Sequence, residues 1–155
     1  MGQPRPTRRY AYDLKGRLLQ QWGTAEYPQA WIYTATDELH TLTTWRSNGA
    51  ADRDAAAWPA PAGGDTTNWT HQSSTGLFTS KQYADGAGPD YTYDPLNRIA
   101  TRTWARDEES TTYGYHSAAG EIISVEYSDD TPAATLTYDR LGRLATRTDA
   151  TGLTT

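Results

Sequence analysis

Histidines, paired carboxylates and tryptophans are the side chains of this sequence best suited to chemistry. A metal site needs ligands at short, regular spacing, whereas His40, His71 and His116 stand far apart and the chain has no cysteine to join them. They read as surface histidines or as substitutes within a repeated motif. Asp107-Glu108-Glu109 and Asp129-Asp130 could serve as paired general acids and bases. Both groups fall where the chain is expected to turn, which makes a solvated turn the better reading. No Gly-x-Ser-x-Gly elbow, phosphate-binding glycine loop or His-Glu-x-x-His motif occurs. The expectation is a non-enzymatic chain with no catalytic, metal-binding or cofactor-binding residue and no cofactor. Asn68-Trp69-Thr70 satisfies the glycosylation sequon, a three-residue pattern that chance supplies often. Among the tryptophans, Trp31, Trp45 and Trp104 fall in expected strands and should pack. Trp58 falls in an expected loop and is the candidate surface-binding aromatic of an alternative reading, a carbohydrate- or cell-surface-binding module using exposed Trp and Tyr.

The elements that must carry these residues follow from an internal repeat. Tyr12-Asp13-Leu14-Lys15-Gly16-Arg17-Leu18, Tyr93-Asp94-Pro95-Leu96-Asn97-Arg98-Ile99 and Tyr138-Asp139-Arg140-Leu141-Gly142-Arg143-Leu144 share one template: Tyr, Asp, two variable residues, Gly or Asn, Arg, aliphatic. Degenerate copies run from Tyr33 to Leu39 and from Tyr115 through Gly120 to Ile122, and a poorer one from His71 through Gly76. The intervals are 21 residues from Tyr12 to Tyr33, 22 from His71 to Tyr93, 22 from Tyr93 to Tyr115 and 23 from Tyr115 to Tyr138. A stride near 22 accommodates two strands of roughly seven residues and two turns of about four, which is one β-hairpin. The exception is the 38-residue interval from Tyr33 to His71. Its surplus matches residues 47–68, rich in Ala, Gly, Pro and Asp, an inserted surface loop between strands.

Each motif residue has a physical task. The Asp can accept hydrogen bonds from N–H groups of the turn that follows it. Three residues later the chain needs a positive φ to reverse, which Gly16, Gly142 and Asn97, and Gly120 in the degenerate copy, tolerate. The Arg re-enters the next strand, placed to pair with an Asp or lie across a Tyr ring. Tyr10/Tyr12, Tyr91/Tyr93 and Tyr113/Tyr115 are two apart and share a strand face, so they are expected to stack into an aromatic ladder over successive repeats.

Composition agrees with this architecture. Leu, Ile, Val and Phe number 17 of 155 residues, but 6 Trp, 11 Tyr and 25 Thr favour half-buried pleated surfaces. The fold class is all-β: about six consecutive antiparallel hairpins in an open, twisted, spiralling sheet, with residues 1–155 as a single partial array. The formal net charge of −5 argues against a nucleic-acid partner, and Arg5, Arg8 and Arg9 form too small a basic cluster to reverse that. No apolar run approaches a membrane-spanning helix, and the first fifteen residues lack the apolar stretch of a signal peptide. Neither end of the array looks like a capping unit, as in a partial array that relies on further repeats.

The Tyr-Asp-x-x-Gly-Arg-Leu units, their Tyr-x-Tyr-Asp approach and the period resemble the YD-repeat, or Rhs-repeat, family over most of residues 10–148. The resemblance is strong for residues 91–148 and weak for 31–83. It implies a structural role: repeats of this kind form a sheet that spirals into a hollow β-shell around a toxic polypeptide, or, in the related teneurins, a cell-surface barrel. This chain would be one arc of such a wall, in a polymorphic-toxin or insecticidal-toxin-like assembly of bacterial type. Its implied partners are further repeats of the same or a neighbouring chain and an encapsulated toxin polypeptide. The implied location is secreted or cell-surface. The family's core segment and C-terminal toxin have no counterpart here, and six hairpins are too few to close a cage.

Overall fold

The computed structural model describes residues 5–46, 53–106 and 109–154. Among them there are thirteen strands: β1 Arg9–Tyr12, β2 Leu18–Gly23, β3 Glu26–Tyr33, β4 Leu39–Thr44, β5 Asp65–His71, β6 Phe78–Gln82, β7 Asp90–Tyr93, β8 Ile99–Thr103, β9 Ser110–Tyr115, β10 Ile122–Tyr127, β11 Ala134–Tyr138, β12 Leu144–Asp149 and β13 Gly152–Thr154. Strand order in the sheet is chain order, and β1 and β13 each have a single neighbour, so the sheet is open. Successive antiparallel pairing suits the sequence, since apart from the long insertion between β4 and β5 each strand is joined to the next by a short connection. No described helix is long and apolar enough to cross a membrane.

The chain divides into two compact units, Met1–His71 with Lys81–Gly86, and Gln72–Ser80 with Ala87–Thr155. In the first, the register of β1 on β2 matches Tyr10 with Gln21, and that of β3 on β4 matches Trp31 with Leu42. Trp22 and Pro28 are its buried residues of note. In the second, β7 pairs β8 through Thr92 and Thr101, and β11 pairs β12 through Thr137 and Thr146. Both threonine pairs join their hydroxyls at 2.6 Å. Thr111 and Ala134 are buried there. Neither unit has a thick apolar centre, as the shortage of aliphatic residues requires. Cross-strand pairs and turn networks therefore carry much of the stabilisation that a core supplies elsewhere.

From β8 through β11 the chain forms one hairpin per repeat, as the stride predicts. The inserted loop differs at its end. Residues 65–68 belong to β5, where Thr66 faces Thr43 and their hydroxyls meet at 2.9 Å, so the connection stops at Gly64; residues 47–52 lie outside the described residues. The glycosylation sequon thus sits within β5. Asp107 and Glu108 also lie outside the described residues.

Candidate functional site: the tyrosine-aspartate corners

The first of the corners shows how the motif works. Asp13 leaves β1, and its Oδ1 accepts the backbone N–H of Lys15 at 2.9 Å and of Arg17 at 2.9 Å, while Oδ2 accepts Arg17 Nε at 2.7 Å. The backbone closes the same loop, with Asp13 N–H donating to the Arg17 carbonyl and Gly16 N–H to the Asp13 carbonyl, both at 3.0 Å. Gly16 reverses the chain at φ +80°. One carboxylate therefore satisfies a whole turn, and tight local closure explains why the motif must be contiguous.

Asp94 and Asp139 repeat the arrangement. Each accepts two turn N–H groups on Oδ1, from Leu96 and Arg98 or from Leu141 and Arg143, and the Arg Nε on Oδ2 at 2.7 Å. Asn97 takes the left-handed position at φ +62° and Gly142 at φ +74°. The backbone N–H of Arg17 holds the Asp13 carboxyl below the usual carboxylate range, and that of Arg98 does the same for Asp94; for Asp139 the leading cause is the Arg143 side chain. In every such hairpin the Tyr pairs with the aliphatic residue across the turn, at a bulge: Tyr12 with Leu18, Tyr93 with Ile99, Tyr138 with Leu144.

The degenerate corners reach the same shape with other chemistry. At Tyr33 to Leu39, Thr34 stands in the Asp position and Glu38 in the Arg position. Glu38 N–H donates to Thr34 Oγ1 at 3.1 Å, and the Glu38 carboxylate accepts the Thr34 and Thr36 hydroxyls, which pull its pKa down to about 2. Asp37 adopts φ +75° where the template has Gly. At Tyr115 to Ile122 the turn is one residue longer, His116 Nδ1 accepts the N–H groups of Ala118 and Ala119 at 3.3 and 3.1 Å, and Gly120 turns at φ +86°. The imidazole does the carboxylate's work with its proton on Nε2. Residues 71–78 form a like turn, closed by Gln72 N–H to the Leu77 carbonyl at 2.8 Å, with Gly76 at φ +71°.

Successive corners are joined by two recurring links. The Arg of one corner lies over the Tyr ring of the next: Arg17 over Tyr33 at 4.7 Å and Arg98 over Tyr115 at 4.1 Å. The Tyr hydroxyl in turn donates to the carbonyl that begins the preceding repeat's return strand: Tyr33 to Leu18 at 3.0 Å, Tyr93 to Phe78 at 2.6 Å, Tyr115 to Ile99 at 2.7 Å and Tyr138 to Ile122 at 2.9 Å. Burial raises the hydroxyl pKa of Tyr93 and Tyr115, with Arg98 opposing the rise at Tyr115. Asp37 adds a further tie, accepting Lys15 Nζ at 2.7 Å and Arg17 Nη1 at 2.5 Å from the corner before it. The expected tyrosine ladder is replaced by this alternation. Tyr10 and Tyr12 lie within one strand with ring centroids 6.4 Å apart, but at two successive corner pairs, Arg17–Tyr33 and Arg98–Tyr115, the next ring meets a guanidinium rather than another tyrosine. A cation over a ring satisfies its negative face better than a face-to-face ring stack does.

The tryptophans depart from expectation in opposite directions. Trp58, assigned as an exposed surface-binding aromatic, is half-buried and meets Trp22 and Trp45 edge-on at 5.7 and 5.6 Å. Its loop folds back, with Trp22 Nε1 donating to the Ala55 carbonyl at 2.9 Å. Trp104, expected to pack within a strand, lies one residue past β8 and is 40 % exposed. Arg102 covers one face at 3.8 Å and Thr111 Oγ1 accepts its indole N–H at 3.0 Å. Among the described residues no group of three His, Asp or Glu is placed to hold a metal ion.

The architecture and its corners define an all-β chain of repeated antiparallel hairpins, an open sheet assembled corner upon corner. No protein-family model and no curated protein matches the sequence. Solved structures do: crystal structures of TcdB2-TccC3-Cdc42, TcdB2-TccC3 and TcdB2-TccC3-TEV match with TM-scores of 0.70, 0.66 and 0.66, each at 18 % identity. The matches cover 93 %, 93 % and 92 % of this chain and 7 % of the other. The chain thus has the fold of a small segment of those much longer proteins.

Proposed function

We propose that this chain is a wall segment of a β-shell built from tyrosine-aspartate repeats, a non-catalytic scaffold that encloses a toxic polypeptide in the complete assembly. The observation that carries the reading is the link between corners. It has a donor side, the Arg, and a receiving side, the Tyr, and among the described residues an open example of each is present. Tyr12 is 59 % exposed, with no guanidinium over its ring. Arg143 grips Asp139 but its side chain is 74 % exposed, with no tyrosine beneath it. Each presents one half of the link that joins corners inside the chain. Likeness of fold to the TcdB2-TccC3 structures supports the same role. On this reading the partners are further repeats and the enclosed polypeptide, and the assembly is secreted or stands at a bacterial cell surface.

The test is electron microscopy of the chain expressed together with its native flanking sequence. A hollow particle with the hairpins in its wall, and an inner segment protected from protease, is the expected result. A solid particle, or an inner segment cleaved as fast as a free peptide, would overturn the reading.

A further inference from the structure

The repeat at Tyr115 carries Glu121 where the best-preserved corners carry Arg. The side chain follows the path an arginine takes there. Arg98 Nη1 lies 3.6 Å from the point a Cβ would occupy on Gly120, and Glu121 Oε1 lies 3.4 Å from the same point on Gly142. Tyr138, the next ring, still donates its hydroxyl to the Ile122 carbonyl at 2.9 Å, yet no cation covers its face. In place of the guanidinium is a cavity of about 330 Å³, lined by Glu121, Tyr138, His116, Ile123 and Leu136 among others. That volume is at the lower end of the ~300–1,000 Å³ typical of ligand sites. Glu38, the other glutamate in an arginine position, is occupied by the hydroxyls of Thr34 and Thr36. Among the described residues Glu121 has no side-chain partner of its own.

We infer that this cavity receives the guanidinium of an arginine side chain supplied by another polypeptide segment. The cavity holds what an arginine would use: the Tyr138 ring, the apolar side chains of Ile123 and Leu136 for the methylene stem, and the turn beside it. A carboxylate now stands where the native cation would begin. Its two oxygens match the planar fork of a guanidinium, which also stacks on an aromatic face; a lysine ammonium matches neither geometry as well. Asp139 lines the cavity too, but Arg143 and its own turn already engage it, so Glu121 supplies the unmatched charge.

The experiment is an NMR titration of the ¹⁵N-labelled 155-residue chain with acetyl-Gly-Arg-Gly-amide, with the citrulline peptide as the uncharged isostere. Saturable shifts confined to the amides of Gly120, Glu121 and Gly142 are expected, with a Kd on the order of millimolar, and none with citrulline. Glu121→Gln should weaken binding roughly fivefold, the upper range for an exposed ion pair. Glu121→Arg should abolish it and raise Tm, because the new side chain fills the cavity from within. Equal shifts with arginine and citrulline peptides, or undiminished binding to Glu121→Arg, would overturn the site. Free L-arginine bound more tightly than the peptide would overturn the polypeptide as the source.

Discussion

The hydroxyl links between repeats make a quantitative prediction at Tyr115. Tyr115→Phe keeps the ring under Arg98 and deletes only the O–H that donates to the Ile99 carbonyl at 2.7 Å. A typical intramolecular hydrogen bond is worth ~0.5–1.5 kcal/mol net. Because the site is partly open, water can reach the freed carbonyl, which puts the expected loss at about 0.5–1 kcal/mol. That is roughly a two- to fivefold fall in the folding constant and, for a chain of this size, a Tm lower by about 1–4 °C. Urea and thermal unfolding followed by far-ultraviolet circular dichroism measure both. Tyr127→Phe is the control, because no hydrogen bond engages its hydroxyl among the described residues. Raising the pH adds a second test. Burial lifts the Tyr115 pKa above its ordinary value of 10, so its contribution is intact below pH ~10 and is lost as pH rises through the folded-state value. The difference between wild type and Tyr115→Phe should therefore shrink in alkali. Equal stabilities for the Tyr115 and Tyr127 variants, or a difference that grows above pH ~10, would refute the reasoning.

Three further outcomes are expected. Asn97 holds φ +62°, so Asn97→Ala should cost about 1 kcal/mol while Asn97→Gly stays within roughly 0.5 kcal/mol, both read by urea denaturation. Glu38, held to about 2 by the Thr34 and Thr36 hydroxyls, contributes stability that is present above its ordinary value of 4.5 and lost as pH falls through about 2; a Tm profile of Glu38→Gln should lack that acid-side decline. Gly23 has φ +146°, and a Cβ there would stand 2.2 Å from the Thr7 carbonyl oxygen, so Gly23→Ala should cost about 2 kcal/mol and expose the Ala25 amide, bonded to Thr7 at 3.2 Å, to faster hydrogen exchange.

How far the sequence could be read depended on how local each feature is. Asp13, Gly16 and Arg17 complete their network within five residues, so spacing alone revealed both the turn and the role of each side chain. The all-β hairpin order followed because the corners recur at one stride. The tyrosine hydroxyl bonds were not legible: they join residues 15 or 16 apart, and register and bulge decide whether donor meets acceptor. Trp58 was misread because composition marks a loop as exposed without saying whether it folds back, and here two other indoles hold it. The start of β5 was missed because Asp65-Thr66-Thr67-Asn68 has no apolar alternation and forms a strand through pairing with β4. The Glu121 cavity had a signal in plain view, a carboxylate in a guanidinium position, but only the neighbouring open ring face gives that substitution meaning.

The one-way character of the arginine-to-tyrosine link bears on how such chains change over evolutionary time. A gene segment one stride long, cut anywhere within the unit and pasted back in frame, brings both a gripping residue and a gripped one, so its neighbours need no adjustment. Duplication and loss by whole units then leave fit intact, whereas a shift by a fraction of a unit leaves two mismatched faces. The length of the sheet can change by whole units under this rule, and selection is left to act on the units, such as those at Glu38 and Glu121, whose grip has been altered.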